Sequence, residues 1–218
     1  MRQRSQASLK GLSGYYLARK LDMTPDSLYE RQRALTRAGL IKGKEGWGPG
    51  SGVRATPHSV AMLLIAVMAA DSLSDVVEST KRYAWLKAER GVCPITGKKT
   101  FGSALVAILA SPRLAQDAHT IRVRRGGGLP GANIDWIMAG EDNTASSYFK
   151  ADKRKHPWPM LEVEASLHGF LLRELAGLLL ATHPGRWDSA TEEDFESMKK
   201  SSREELEDER QHHPTRKK

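Results

Sequence analysis

Residues 24 to 37 read TPDSLYERQRALTR. At a helical period Leu28, Leu35 and Ala38 fall on one stripe, and Asp26, Ser27, Tyr29, Glu30, Arg31, Arg33 and Arg37 stand on the other side. A row so dense in side-chain donors and acceptors is suited to hydrogen bonding with a polar, patterned surface. Guanidinium forks pair with planar acceptors, carboxylates accept from amino groups, and hydroxyls do either. A second group lies in and beside residues 43 to 57, GKEGWGPGSGVRATP. Gly46, Gly48, Gly50 and Gly52 occupy every second position there, Trp47 stands between the first two, and Lys42, Lys44 and Arg54 flank the glycines. Cations around a glycine-rich turn suit phosphate. A cradle for a nucleotide phosphate, however, needs a helix N-terminus directly after its glycines, and Val53, Arg54 and Ala55 intervene.

Other kinds of chemistry lack their residues. The histidines (His58, His119, His156, His168, His183, His212 and His213) have no metal-ligand spacing, and a single cysteine, Cys93, excludes an internal disulfide and a cysteine-based zinc site. Gly91, Gly97 and Lys98 come near a phosphate loop, but five residues rather than four separate the glycines, and Lys99 stands where Ser or Thr is required. Gly126, Gly128 and Gly131 spell GxGxxG ahead of a strand-like stretch, where a dinucleotide site needs a helix. No serine sits in a nucleophile-elbow motif, and Glu162 and Glu164 alternate along a strand as its solvent face. The expectation is a protein that is not an enzyme and that carries no cofactor and no metal.

The elements that position the first two groups are legible in caps and breakers. Ser13 is a candidate N-cap for a helix with Leu17, Ala18 and Leu21 on its inner face; Asp22, Met23 and Thr24 interrupt it. Thr24 caps the next helix, Pro25 suits its first position, Asp26 favours the positive end of its dipole, and Gly39 ends it. Leu40 to Lys42 and Val53 to Thr56 are short strand candidates on either side of the glycine-rich turn, so a hairpin follows two helices joined by a tight turn.

Charge is distributed unevenly. The net formal charge is +8, and residues 1 to 60 hold eleven Lys and Arg against four Asp and Glu, whereas residues 61 to 218 hold 23 against 22. A basic excess confined to the first quarter is the footprint expected of a phosphate-rich partner. The text LARKLDMTPDSLYERQRALTRAGLI, followed by the glycine-rich turn and RAT, resembles the winged helix-turn-helix family of DNA-binding domains over roughly residues 5 to 58. The resemblance implies double-stranded DNA as partner. It implies base and phosphate contacts from Thr24, Pro25, Asp26, Ser27, Tyr29, Glu30, Arg31, Arg33 and Arg37, and phosphate or minor-groove contacts from Lys42, Lys44 and Arg54. Trp47, at the tip, either stacks against the nucleic acid or packs back on the domain. In style this module resembles regulators of bacteriophages, prophages or gene transfer agents, and phage packaging proteins share such a domain.

After the wing, Thr56-Pro57 repeats the start seen at Thr24-Pro25 and opens a helix to Ala70 that is apolar on nearly all sides. An amphipathic helix from Ser74 to about Glu89, the loop GVCPITGKK and a helix from Thr100 to about Leu109 follow. Residues 119 to 139 alternate as a β-hairpin, residues 140 to 157 read as loop, Pro159 to Ala165 as strand and Leu167 to Ala181 as a hydrophobic helix. The expected fold class is α+β. An N-terminal winged helix-turn-helix (1–58) precedes a mixed α+β module (59–186) with a β-hairpin and hydrophobic helices, for dimerisation or partner binding, and a charged, partly disordered tail (187–218). With two helices this poor in polar surface, at least one is expected to be buried against a second copy in a homodimer. No run reaches the roughly 18 to 20 apolar residues of a membrane span, and the start lacks the apolar segment of a signal peptide, so the expected location is cytoplasmic and nucleoid-associated. The function expected is a sequence-specific DNA-binding transcriptional regulator, with the transcription machinery as a further candidate partner; the alternative is a DNA-packaging protein of the small-terminase type.

Overall fold

Among the described residues, five helices start on a serine or threonine in extended conformation whose side-chain oxygen accepts the backbone N–H three residues on. These are Ser8 before α1 (Leu9–Leu12), Thr24 before α3 (Pro25–Arg37), Thr56 before α4 (Pro57–Ala69), Thr100 before α6 (Phe101–Ala110) and Ser111 before α7 (Pro112–Asp117). In α4 and α6 the serine three residues on bonds back to the cap, closing a capping box. The structure, a computed structural model, describes residues 8–43, 52–126, 130–137, 144–151 and 162–182. From α1 the chain passes through a π-helical turn, Ser13–Leu17, into α2 (Ala18–Lys20). The first helical segment thus begins at Ser8 and not at Ser13, whose hydroxyl instead donates to the Lys10 carbonyl at 3.2 Å. Gly11 and Gly14, poor helix formers, mask that start in the sequence.

The helix expected from Ser74 to Glu89 is shorter. It spans Val76–Ala84 as α5, and the chain then turns into β1 (Lys87–Ala88), just before which the Leu86 carbonyl accepts the Phe101 N–H at 2.9 Å. The expected hairpin is formed by β2 (Ala118–Gly126) and β3 (Gly131–Ile137), with Ile121 opposite Ile134 and Val123 opposite Ala132. Within the loop expected at 140–157 lies a strand, β4 (Thr144–Lys150). Its alternation is hidden because an inward position is polar: Ser147 is buried to accept the Trp136 indole N–H at 2.9 Å. The next strand, β5, spans Glu162–His168, with residues 159–161 of the expected strand outside the described residues, and α8 spans Gly169–Thr182, two residues beyond the start read from the sequence. Glycine is required at the β5–α8 junction, because a Cβ at Gly169 would lie 1.9 Å from the Ala118 carbonyl oxygen.

The five strands among the described residues form one antiparallel sheet in the order β1-β4-β3-β2-β5. Paired positions share a face. One face, with Ile121, Val123, Ile134, Trp136, Phe149 and Leu167, is buried. The other carries Arg122, Ser146, Tyr148, Lys150, Glu164, Ser166 and His168. At the centre of the buried layer sits α4, packed against α3, α5, α6, β2 and β5. From Val60 to Ile65 it is inaccessible apart from a trace at Met62, so its burial is achieved within the chain and requires no second copy. A single buried apolar cluster runs from Leu9 and Leu28 through α4 to Leu179. Among the described residues no helix is long and apolar enough to cross a membrane. The tail expected at 187–218 lies outside the described residues.

Candidate nucleic-acid interface

The helix that presents the first polar row, α3, is placed by its two ends. Thr24 Oγ1 accepts the Ser27 N–H at 3.2 Å with Pro25 at the first position. At the far end Gly39 adopts φ 69° while the Leu40 N–H reaches back to the Leu35 carbonyl at 2.9 Å, a closure that favours glycine. The turn before it, Leu21 to Thr24, contains Asp22 at φ 50°, a left-handed position that Asp tolerates better than most residues. Leu28 and Leu35 are fully buried, and α3 packs on α4, α5 and the π-helical turn.

Five of the residues expected on the outer row are exposed: Asp26, Tyr29, Glu30, Arg33 and Arg37. Thr24 and Pro25 are exposed at the helix start, and Ser27 is half-buried. Arg33 Nη1 lies 3.6 Å from Glu30 Oε1, a loose surface pair that leaves most of the guanidinium available.

Arg31 is the exception. It is buried, and its Nη1 donates to Ser27 Oγ at 2.6 Å. Burial pushes its guanidinium below the usual arginine range, and the Asp75 carboxylate before α5 counters that shift. Arg31 therefore belongs to the contact between α3 and the rest of the fold and does not stand on the outer row. The 3.6-residue period itself places it there: Arg31 stands three residues after Leu28 and four before Leu35, on the buried stripe.

The strand candidates after α3 are reduced to single bridges. Leu40 and Ile41 are buried in bends, and backbone pairing begins at Gly43, which bridges to Val53; Arg54 bridges in turn to Ser8. Both bridges are antiparallel. Ser8, Gly43 and the Val53–Arg54 segment thus lie side by side, with Val53–Arg54 in the middle. Lys42 and Arg54 are exposed. Lys44 and Trp47 lie outside the described residues.

One cation was missed by the sequence reading. Lys10, on α1, holds its Nζ 4.9 Å from the centre of the Tyr29 ring, so α1 contributes to the same polar patch as α3. The available signal was Ser8, an N-cap candidate two residues earlier. Elsewhere, Asp135 on the open sheet face accepts from Ser146 Oγ at 2.6 Å and Asn133 Nδ2 at 3.1 Å, and pairs with Arg122 at 3.4 Å. These groups satisfy one another. His168 Nδ1 accepts the Phe170 N–H at 3.2 Å, a local structural bond at the start of α8. Among the described residues no group of three or more His, Cys, Asp or Glu side chains could hold a metal ion. No protein-family model matches the chain, and no curated protein or solved structure is significantly similar to it.

Proposed function

We propose that the chain is a sequence-specific regulator that binds double-stranded DNA through a winged helix-turn-helix within residues 1–58. The observation that carries this reading is the exposed face of α3, with Asp26, Tyr29, Glu30, Arg33 and Arg37, set after a four-residue turn and beside the bridges at Gly43, Val53, Arg54 and Ser8. A helix fits the major groove of B-DNA, and residues of its first turns reach base edges. In this reading Asp26, Tyr29, Glu30 and Arg33 meet base edges. Arg37, Lys10, Lys42, Lys44 and Arg54 meet phosphates, which fix register and supply the salt-dependent part of the affinity. The concentration of positive charge in residues 1–60 supports the same assignment. Two copies would offer two α3 helices to half-sites about one helical turn, roughly 34 Å, apart.

The test is duplex binding by the full chain, followed by fluorescence anisotropy between low and physiological salt, together with genome-wide mapping of bound DNA. Expected are a steep loss of affinity with salt and sharp peaks at promoters. Salt-independent or absent duplex binding would overturn the reading, and peaks confined to one packaging site, with a ring-sized particle in solution, would replace it with a packaging role.

A further inference from the structure

Helix α8 is buried on one side by Leu171, Leu172, Leu175, Ala176 and Leu179. Its opposite side is unusual for a surface helix. Phe170 is 54% exposed, Leu180 45% and Leu178 39%, and Gly177 and Ala181 are exposed between them. Gly177 stands in the middle of the helix, where glycine weakens helix formation, and a Cβ there would meet nothing within 4 Å. Its backbone is not in the left-handed region. Within one chain, therefore, neither space nor conformation asks for glycine at this position.

The order of residues along this stripe points to what would. Phe170, Arg173, Glu174 and Gly177 are symmetric about the midpoint between Arg173 and Glu174. If a second α8 lies antiparallel across that midpoint, Phe170 faces Gly177 of the other copy, Arg173 faces Glu174 of the other copy, and both relations occur twice. A ring then enters the hollow left by a missing side chain while opposite charges meet. Arg173 is exposed and makes no ion pair in its own chain among the described residues. Glu174 is half-buried and uses Oε2 for the Tyr16 hydroxyl, at 2.6 Å, and for Lys20 Nζ, at 2.8 Å, which leaves Oε1 for a further donor. Such self-complementarity is the property of an isologous two-fold interface.

We infer that the exposed stripe of α8 is the surface on which a second copy of this chain docks, antiparallel, with Phe170 seated on Gly177 of the other copy. The inference deepens the two-fold reading of the preceding subsection by naming its surface. Glu174 of α8 also holds the π-helical turn through Tyr16 and α2 through Lys20, the segment that precedes α3, so the interface sets the spacing of the two half-sites.

The test uses the full chain in sedimentation velocity at low to high micromolar concentration, with the variants G177L and R173E. Leucine is the better helix former, so G177L leaves the isolated helix no weaker, and R173E alters an exposed side chain that has no ion-pair partner among the described residues. The expected result is a reversible dimer for the parent, and about a tenfold or greater rise in dissociation constant for each variant, with unchanged circular dichroism. A parent that dimerises with both variants unaffected overturns this surface and leaves the two-fold reading standing. A parent that stays monomeric overturns both. In that case a melting temperature lowered by G177L assigns the stripe to residues of the same chain, and an unchanged one assigns it to a different protein.

Discussion

Arg31 and Arg33 are two positions apart on α3 and stand in opposite surroundings, so their removal should have opposite consequences. Arg31→Ala takes away a buried guanidinium bonded to Ser27 and facing Asp75. The expected cost is about 1 to 3 kcal/mol of stability, read as a lower urea midpoint, with no change in the ratio of specific to random DNA affinity. Arg33→Ala removes an exposed side chain; stability should stay within about 0.5 kcal/mol, while discrimination against random duplex falls by about 1 to 3 kcal/mol. Equal losses on both duplexes with Arg33→Ala would mean that α3 is not the reading helix. The Glu174 latch supplies a second residue-scale test. Bonds from Lys20 and then from the Tyr16 hydroxyl hold the Glu174 carboxyl below the usual glutamate range, while burial, and after it the neighbouring carboxylate, pushes the Tyr16 hydroxyl up. A carboxyl whose folded pKa is depressed binds fewer protons folded than unfolded. Its contribution is complete above the ordinary glutamate range and disappears as pH falls through that range to the depressed value. Glu174→Gln should therefore flatten the acid side of the stability profile below about pH 4.5 and alter the neutral-to-acid difference in melting temperature; an unchanged profile would show that the latch does not form.

At the scale of elements, what could be read in advance follows how each element is specified. Helices α3, α4 and α6 were legible almost to the residue, because Thr24, Thr56 and Thr100 combine a cap with an apolar run, and Gly39 marks a stop. The β2–β3 hairpin was legible for a similar reason: Arg122 and Arg124 alternate with Ile121 and Val123 across a glycine-rich turn. Strand β4 was not, because its buried positions are Ser147 and Phe149, and the serine is kept inside by a bond from Trp136 that lies eleven residues away. The boundary between β5 and α8 was misread by two residues because it depends on a long-range contact, Gly169 against the Ala118 carbonyl, which no local pattern announces. The polar row on α3 was legible as a face but not in its membership. Charge assigns Arg31 to the outer row, but its spacing from Leu28 and Leu35 directs its Cβ to the buried stripe, where the guanidinium bonds to Ser27. Lys10 was missed with the helix that carries it.

At the scale of the whole molecule the decisive feature is that α4 serves two masters. It follows the glycine-rich stretch in sequence, yet its surface is covered by α3 on one side and by α5, α6 and the sheet on others. The buried cluster is continuous from Leu9 to Leu179, and the latch from Tyr16 and Lys20 to Glu174 joins the π-helical turn and α2 to the last described helix. A helix apolar on all sides cannot be left half-covered, since each exposed leucine would forgo roughly 1.5 to 3 kcal/mol of burial. Residues 1–58 and 59–186 are therefore expected to unfold together, despite the change of composition between them. Tryptophan fluorescence, whose five emitters include buried Trp136 in the sheet, and helical ellipticity, which includes α1 to α3, should give coincident urea transitions. Leu64→Ala, at a fully buried site on α4, should shift both midpoints together at a cost of about 2 to 5 kcal/mol. A fragment ending at Ala70 keeps α4 but loses most of what covers it, and should aggregate rather than bind DNA as an isolated module. Two separated transitions, with Leu64→Ala moving only one of them, or a soluble and folded fragment ending at Ala70, would show that the first module stands apart from the sheet and its helices.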